Sequence, residues 1–351
     1  MSYRVGIIGC GGMGRSHARE WSRRADVEVV AAADIEAEAV QRLAAEYEVP
    51  ATYTDYEEML QHEELDIVSI PTWQGVRAPA TVAAARAGVK AILGEKPIAD
   101  NLGNADDMIA ACQAHEVKLA IGHNRRFTPP TNEIRRLVAA GAIGEPRLVH
   151  HIAKPNAGLL NTATHTIDAW RFYLADPETL WVIGQTSRTT DRWERRSICE
   201  DLCMGLVCFA GGARGIYEGD LPGPRALMPE ISGIEGKISL GAEGKLLLHQ
   251  DGTAGWREIE PPAVETDQYQ EMIDWIEGRV EDHRGNAIQA RYTLEIMMAI
   301  FESLRIKNVV EMPLTTRACP LDIMVEDGTL PVLQQGRYDL RAPFPEQLEQ
   351  E

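Results

Sequence analysis

The sequence predicts an α/β chain: a doubly wound, parallel-stranded domain over residues 1–123, an α+β domain with a mostly antiparallel sheet over 124–316, and an irregular tail over 317–351. Three observations lead there. A β-prone run, Tyr3-Arg4-Val5-Gly6-Ile7-Ile8, feeds into Gly9-Cys10-Gly11-Gly12-Met13-Gly14 and then a helical stretch on which Met13, His17 and Trp21 share a face. Up to residue 123 strand and helix patterns alternate, as parallel strands with helical crossovers require. Beyond it, short strand-like segments follow one another across Gly-rich turns, the grammar of an antiparallel sheet.

Taken in order, the glycine run has the context of a Rossmann dinucleotide fingerprint: Gly9 for the tight turn, Gly11 for close approach of the backbone to a pyrophosphate, Gly14 for close helix packing. The helix N-terminus offers N–H groups and a positive dipole end to the phosphate. A second apolar strand, residues 27–33, closes with Asp34, roughly 20 positions beyond Gly14, where a carboxylate accepts from the adenosine ribose hydroxyls and repels a 2′-phosphate. NAD is therefore expected as cofactor rather than NADP. An acidic helix to Tyr47, a short strand at 51–53 and a buried strand at 65–70 follow, the last ending at Pro71-Thr72-Trp73-Gln74. Residues 79–87 read as a helix, 89–93 as a strand delivering Gly94-Glu95-Lys96-Pro97 at its carboxyl end, 106–114 as a helix and 117–122 as a strand.

After a helix at 132–140, strands are expected at 147–152, 180–186, 198–209, 213–218, 237–240, 245–249 and 256–259. Two helices interrupt them, one with Tyr269, Met272, Ile273 and Ile276 on a face, the other with Leu294, Met297, Met298, Phe301 and Leu304, a stripe read as core. The tail holds Pro320, Pro331, Pro343 and Pro345 and is expected to run over the surface or a neighbouring subunit.

The 351 residues suffice for two domains. Their 44% apolar and 25% charged content is that of a globular protein, and no apolar run is long enough to span a membrane. Met1-Ser2-Tyr3-Arg4 enters a strand at once, leaving no room for a signal peptide, so a cytoplasmic address is expected. A net charge of −18 opposes nucleic-acid binding and favours small neutral substrates over polyanions, a local basic pocket excepted. Cys199, Cys203 and Cys208 cluster without any Cys-x-x-Cys spacing, so no metal site is expected.

The order and spacing of Gly9 to Gly14, Glu95-Lys96-Pro97, Asn124-Arg125-Arg126-Phe127 and the segment 161–168 resemble the signature elements of the Gfo/Idh/MocA oxidoreductases over roughly residues 1–316. The resemblance implies a Rossmann domain joined to an α+β domain with a large open, mostly antiparallel sheet, acting on sugars and polyols with NAD(P). Oxidising a secondary alcohol needs a general base and a cation for the developing alkoxide. Lys96, at the carboxyl end of a parallel strand, can hydrogen-bond the reacting oxygen. His165 occupies the family's catalytic histidine position, and imidazole titrates near working pH. In the family the Lys-Pro bond at this place is often cis, which would fix the direction of the lysine, against a base rate of about 5–6% cis for X–Pro bonds in general. Glu95 contacts the cofactor ribose, orients Lys96, or is a helix-entry carboxylate. Pro71, Thr72 and Gln74 lie where the family contacts the nicotinamide half, with Gly9, Gly11, Gly12 and Met13 on the pyrophosphate. Trp73 either stacks on a ligand or packs. Asn124 and Asn161 are the substrate-binding candidates, with Asn161 and His165 one turn apart on a helix expected over 162–174. Arg125 and Arg126 are expected to tie the domains together, Asp168 to serve the helix interior or its neighbours, and Arg192, Arg195 and Arg196 to form a solvated turn. Arg77 stands where relatives frequently carry histidine and receives no role.

Two departures bear on the substrate. Many polyol dehydrogenases of the family carry aspartate where this chain has Asn161, and a glycine run where it has Ala157-Gly158 in a short loop. Asparagine still holds a substrate hydroxyl, but adds no negative charge beside the histidine. The expected function is an NAD-dependent sugar, polyol (inositol-like) or sugar-derivative dehydrogenase. Alternatives on the same scaffold are a glycosidase or lyase that retains NAD through transient oxidation, and a non-catalytic sugar- and NAD-sensing protein. The open sheet needs cover, so a homodimer or homotetramer is expected.

Overall fold

The computed structural model describes residues 2–153, 158–219, 230–241 and 244–335, and the chain divides into two compact units. The first comprises Met1–His123 and Thr266–Arg291, the second Asn124–Glu265 and the chain from Tyr292 on.

In the first unit six strands form one sheet: β1 (Tyr3–Ile8), β2 (Val27–Ala33), β3 (Ala51–Tyr53), β4 (Ile67–Ile70), β5 (Ala91–Gly94) and β6 (Lys118–Ile121). Their order is β3-β2-β1-β4-β5-β6 and every pairing is parallel. This is the doubly wound Rossmann order, with the reversal between β1 and β4. Every residue of β4 and β5 is buried, as strands covered on both faces must be. Crossovers are α1 (Gly12–Ser22), α2 (Ala37–Tyr47), α3 (Tyr56–His62), α4 (Gln74–Arg86) and α5 (Leu102–Ala114). Two begin earlier than their sequence suggests. α5 is started by the Asn101 side chain accepting from Asn104 N–H at 2.9 Å, and α4 already has Gln74 in its first turn, with Pro79 inside it.

The segment 266–291 differs from the expected division. Tyr269, Met272 and Ile273 on α8 (Gln268–Ile276) belong to the core that holds Val5, Trp21, Ile67 and Leu93. The Tyr269 ring stands edge-on to Trp21 at 5.0 Å and to His17 at 5.5 Å, and Asp267 pairs with Arg24. An apolar helical stripe says that a face is buried, not against which sheet.

The second unit has a nine-stranded sheet made of β7 (Pro146–Ile152), β8 (Thr179–Ser187), β11 (Leu202–Phe209), β12 (Arg214–Gly219), β13 (Glu230–Gly233), β14 (Gly236–Leu240), β15 (Leu246–Gln250), β16 (Arg257–Ile259) and β17 (Val310–Glu311). Its order is β16-β15-β14-β13-β7-β12-β11-β8-β17, antiparallel except for the β7–β12 pair. Helices α6 (Pro129–Ala139), α7 (Thr164–Tyr173) and α9 (Ala287–Ile306) accompany it. Leu294, Met297, Met298 and Phe301 of α9 are wholly buried, so the methionine stripe is core. On one face of the sheet Ile183 pairs with Leu206 and Leu206 with Ile216, and Ile183 and Met204 are exposed, which leaves an apolar ladder open.

Three further segments depart from expectation. Residues 198–209 are not one strand: β10 (Ser197–Ile198) pairs with β9 (Trp193–Glu194) in a separate hairpin, and β11 starts only at Leu202. The helix carrying His165 is preceded by a π-helical turn, Leu159–Ala163, which holds Asn161. The tail contains a helix, α10 (Pro320–Glu326), with Leu321 and Met324 buried. Ala157, Pro343 and Pro345 lie outside the described residues.

Candidate active site

The parallel sheet of the first unit gathers the carboxyl ends of β1, β4 and β5 on one edge, where open α/β sheets bind ligands. After β1, Gly9 takes φ 102°, a left-handed value, and its N–H donates to Ala33 O at 2.8 Å. A β-carbon at Gly14 would lie 2.0 Å from Gly9 O, so no other residue lets α1 begin this close to the turn. One at Gly11 or Gly12 would meet nothing within 4 Å, and α1 has neither a side-chain cap nor an acidic residue in its first turn. The turn thus opens onto free space with uncapped N–H groups, the donor set that a pyrophosphate requires, so the residues present fit a dinucleotide. Met13 is 42% exposed at the start of the helix, whereas His17 and Trp21 on the same stripe are wholly buried.

Asp34, half-buried at the end of β2, accepts from Cys10 N–H at 2.6 Å and from Glu36 N–H at 3.0 Å. It stitches the glycine turn to the second strand while keeping a carboxylate at the edge. Asp34→Asn, which keeps an acceptor for Cys10 but loses the charge, is expected to raise the kcat/KM ratio of NADP to NAD about 10- to 100-fold, measured by NAD(P)H absorbance. An unchanged ratio would remove Asp34 from cofactor discrimination.

At the ends of β4 and β5 the side chains lock together. Trp21 Nε1–H donates to Ser69 Oγ at 3.0 Å, Ser69 Oγ lies 2.9 Å from His17 Nδ1, and His17 Nε2 lies 3.2 Å from Glu95 Oε1. A carboxylate only accepts, so Nε2 carries a proton and points it at Glu95. Glu95 Oε2 receives the Lys96 backbone N–H at 3.2 Å. Burial alone would raise the Glu95 pKa, but the His17 hydrogen bond and the His17, Arg77 and Lys96 charges prevail and hold it at about 2. A carboxylate depressed in the fold stabilises it above the unfolded value of about 4.5 and loses that contribution as pH falls towards about 2. Urea titrations should show the stability gap between wild type and Glu95→Gln narrowing below about pH 4.5, and a constant gap would contradict it.

Arg77, without a role in the sequence, is 1% exposed on α4 and binds three carbonyls: Nη1 donates to Pro97 O and to Ile98 O, the latter at 3.3 Å, and Nη2 donates to Thr72 O. It ties the loop after β4 to the loop carrying Lys96. The Lys96–Pro97 bond is cis. Gln74 is buried in the first turn of α4, while Pro71 and Thr72 abut the glycine turn, within reach of β-carbons placed on Gly14 and Gly9.

In the second unit, Asn124 and Arg125 are exposed at the start of a short 3-10 turn, Asn124–Phe127. Arg126 is buried and forks onto Asp168, Nε to Oδ1 and Oδ2 at 3.0 and 2.9 Å and Nη2 to Oδ1 at 2.8 Å, with Asp176 accepting from Nη2 at 2.7 Å. Both carboxylates belong to the second unit, so these bonds tie Arg126 to α7 and the turn that follows it. Asp168 serves the neighbours of its helix, one of the two expectations, accepting from Thr293 Oγ1 of α9 at 3.3 Å as well as from Arg126. His165 is half-buried on α7, one turn beyond Asn161, which is 7% exposed and donates from Nδ2 to Glu194 Oε1 at 2.7 Å. Glu194, 33 positions downstream on β9, carried no sequence signal. Arg192 is likewise no solvated turn: it is buried, with Nη1 on Glu200 O at 3.0 Å.

A parallel sheet in this order, with an open glycine turn and a carboxylate after β2, defines a dinucleotide-binding Rossmann domain. Residues 3–123 match the Gfo/Idh/MocA profile, described as an oxidoreductase family with an NAD-binding Rossmann fold. It is 28% identical over 282 residues to D-apiose dehydrogenase of Paraburkholderia graminis, covering 74% of this chain and 73% of that protein. It is 30% identical over 205 residues to inositol 2-dehydrogenase 3 of Saccharopolyspora erythraea, covering 55% and 60% respectively. The fold is shared with an oxidoreductase from Agrobacterium radiobacter solved with NAD+, L-tartaric acid and magnesium, at TM-score 0.75 and 19% identity over 89% of this chain and 98% of that one.

Proposed function

We propose that the protein oxidises, or in reverse forms, a secondary alcohol of a sugar or polyol, with NAD as hydride partner. The observation that carries this reading is the placement of Glu95-Lys96-Pro97 at the carboxyl end of β5, on the sheet edge that also bears the open glycine turn. NAD would lie on Gly9, Gly11, Gly12 and Met13 with its ribose on Asp34 and its nicotinamide half near Pro71, Thr72, Gln74 and Glu95, and when bound it supplies the two-electron acceptor. The Lys96 ammonium would donate to the reacting oxygen and stabilise its negative charge as the carbon loses hydride. His165 would take the hydroxyl proton, and return it in the reverse direction. Asn124 and Asn161 would bind other hydroxyls. The relatives are named as dehydrogenases, which supports net redox chemistry over a glycosidase, a lyase or a sensor.

The test is to incubate the protein with NAD and a panel of aldoses, pentoses and inositols and follow NADH absorbance. Turnover with at least one is expected; tight NAD binding with no turnover on any would overturn the reading.

The apolar ladder of Ile183, Leu206 and Ile216 supports a homodimer or homotetramer in which a second copy covers the sheet. Sedimentation at micromolar concentration should give a multiple of 38.8 kDa, and a monomer would refute it. Among the described residues no helix is long and apolar enough to cross a membrane, and the six cysteines are buried thiols, which fits the proposed cytoplasmic address.

A further inference from the structure

Asparagine is ambivalent: its amide donates from one side and accepts on the other, so alone it does not decide which group of a substrate it reads. At position 161 the choice is made by Glu194. A carboxylate can only accept, and Glu194 Oε1 sits 2.7 Å from Asn161 Nδ2, so the nitrogen must face Glu194 and Oδ1 must face the opposite way. Both side chains are more than nine-tenths buried, where a charge-assisted bond is short and strong.

The surroundings hold Glu194 in that place. It ends β9, whose register with β10 pairs Glu194 with Ser197 and leaves residues 195 and 196 as a two-residue loop. Arg195 and Arg196 there take φ 53° and 64°, the left-handed pair that such a hairpin turn demands and that asparagine and glycine ordinarily supply. The fold accepts that unfavourable backbone to keep the hairpin tight. A β-carbon at Gly158 would lie 2.3 Å from Glu194 Oε2 and 2.6 Å from Cys199 Sγ, so any side chain there would push the carboxylate aside. Behind it Glu200 Oε1 accepts from Leu159 N–H at 2.6 Å, and burial raises the Glu200 pKa, with the Glu194 charge adding to the rise.

We propose that Glu194 is a positioning residue that locks Asn161 as a hydrogen-bond acceptor backed by negative charge, so that position 161 reads a neutral hydroxyl and rejects a substrate carboxylate. The substrate class thereby becomes a neutral aldose or polyol over its uronic or aldonic acid. The inference rests on Asn161 contacting substrate.

The experiment compares wild type, Glu194→Gln, Asn161→Asp and the Asn161→Asp/Glu194→Gln double variant. Each is assayed for NADH formation on the best neutral sugar of the panel and on its matched acid, with NAD affinity by fluorescence titration as the check on fold. Glu194→Gln, whose amide lets Asn161 turn either way, should lower the neutral-to-acid kcat/KM ratio about 10- to 100-fold, mainly through KM, with NAD affinity unchanged. Asn161→Asp alone sets two carboxylates against each other and should be impaired. The double variant returns one charge to the pair, with the introduced glutamine amide donating to the introduced aspartate carboxylate in the reversed arrangement, and should regain most of the wild-type ratio. Gly158→Ala should act in the same direction as Glu194→Gln by displacing the carboxylate. An unchanged ratio in Glu194→Gln, or a double variant no better than Asn161→Asp, overturns the proposal. If no sugar reduces NAD, the dehydrogenase reading falls, and calorimetric binding of the two sugars to the same four proteins decides the inference: Glu194-dependent preference for the neutral sugar upholds it, and no preference, or no binding, overturns it.

Discussion

Lys96→Met is expected to lower kcat for NADH formation by about 10²- to 10³-fold while leaving NAD affinity near the wild-type value. Methionine approximates the length and apolar bulk of the lysine stem and removes only the ammonium. The residue is half-buried at the carboxyl end of β5, its backbone N–H is held by Glu95, and the following carbonyls of Pro97 and Ile98 are held by Arg77. The loop should therefore keep its path in the variant. On the proposed mechanism the variant loses a positive charge where an alcohol oxygen becomes negative, an interaction stronger in the transition state than with the bound alcohol, so the loss falls on kcat. Steady-state kinetics with the best sugar of the panel, together with NAD fluorescence titration, checks it. A fall in NAD affinity matching the fall in kcat would make Lys96 a cofactor-binding or structural residue instead.

The second large effect concerns stability. Asp168→Ala is expected to destabilise the second unit by about 3–5 kcal/mol, because it takes the bidentate carboxylate partner from the buried Arg126 guanidinium. Arg126 and Asp168 are each 1% exposed, and the fork between them uses two guanidinium nitrogens against both carboxylate oxygens. Asp168 and Asp176 hold the arginine pKa above its ordinary value against burial, which disfavours the charge. The paired replacement Arg126→Met/Asp168→Leu removes both charges and should recover much of the loss, since apolar residues of similar volume often substitute for a buried ion pair at little cost. Urea unfolding of the three proteins measures it. A single variant as stable as wild type would show that water reaches the pair.

The glycine run, Asp34 and Glu95-Lys96-Pro97 were legible because each is a local pattern: a strand, a turn without room for a β-carbon, and a polar residue at a strand end. The alternation of strands and helices likewise disclosed the parallel sheet. Arg77 was visible but mute, since its three carbonyl partners come from two separate loops. Glu194 was silent, because a hairpin 33 residues away brings it to Asn161. Residues 266–291 were expected in the second domain and pack with the first unit, because amphipathic periodicity reports that a face is buried and not which core buries it.

By itself the sequence determined the fold class, the cofactor and the placement of Lys96 at a strand end, all written in contiguous residues whose backbone and charge act locally. Only the tertiary structure decided which side of the Asn161 amide is presented, which loops Arg77 binds, and that Arg126 directs its charge to Asp168 and Asp176. Those outcomes depend on burial and on distances between residues far apart in the chain, and desolvation makes each such polar contact strong enough to determine the arrangement.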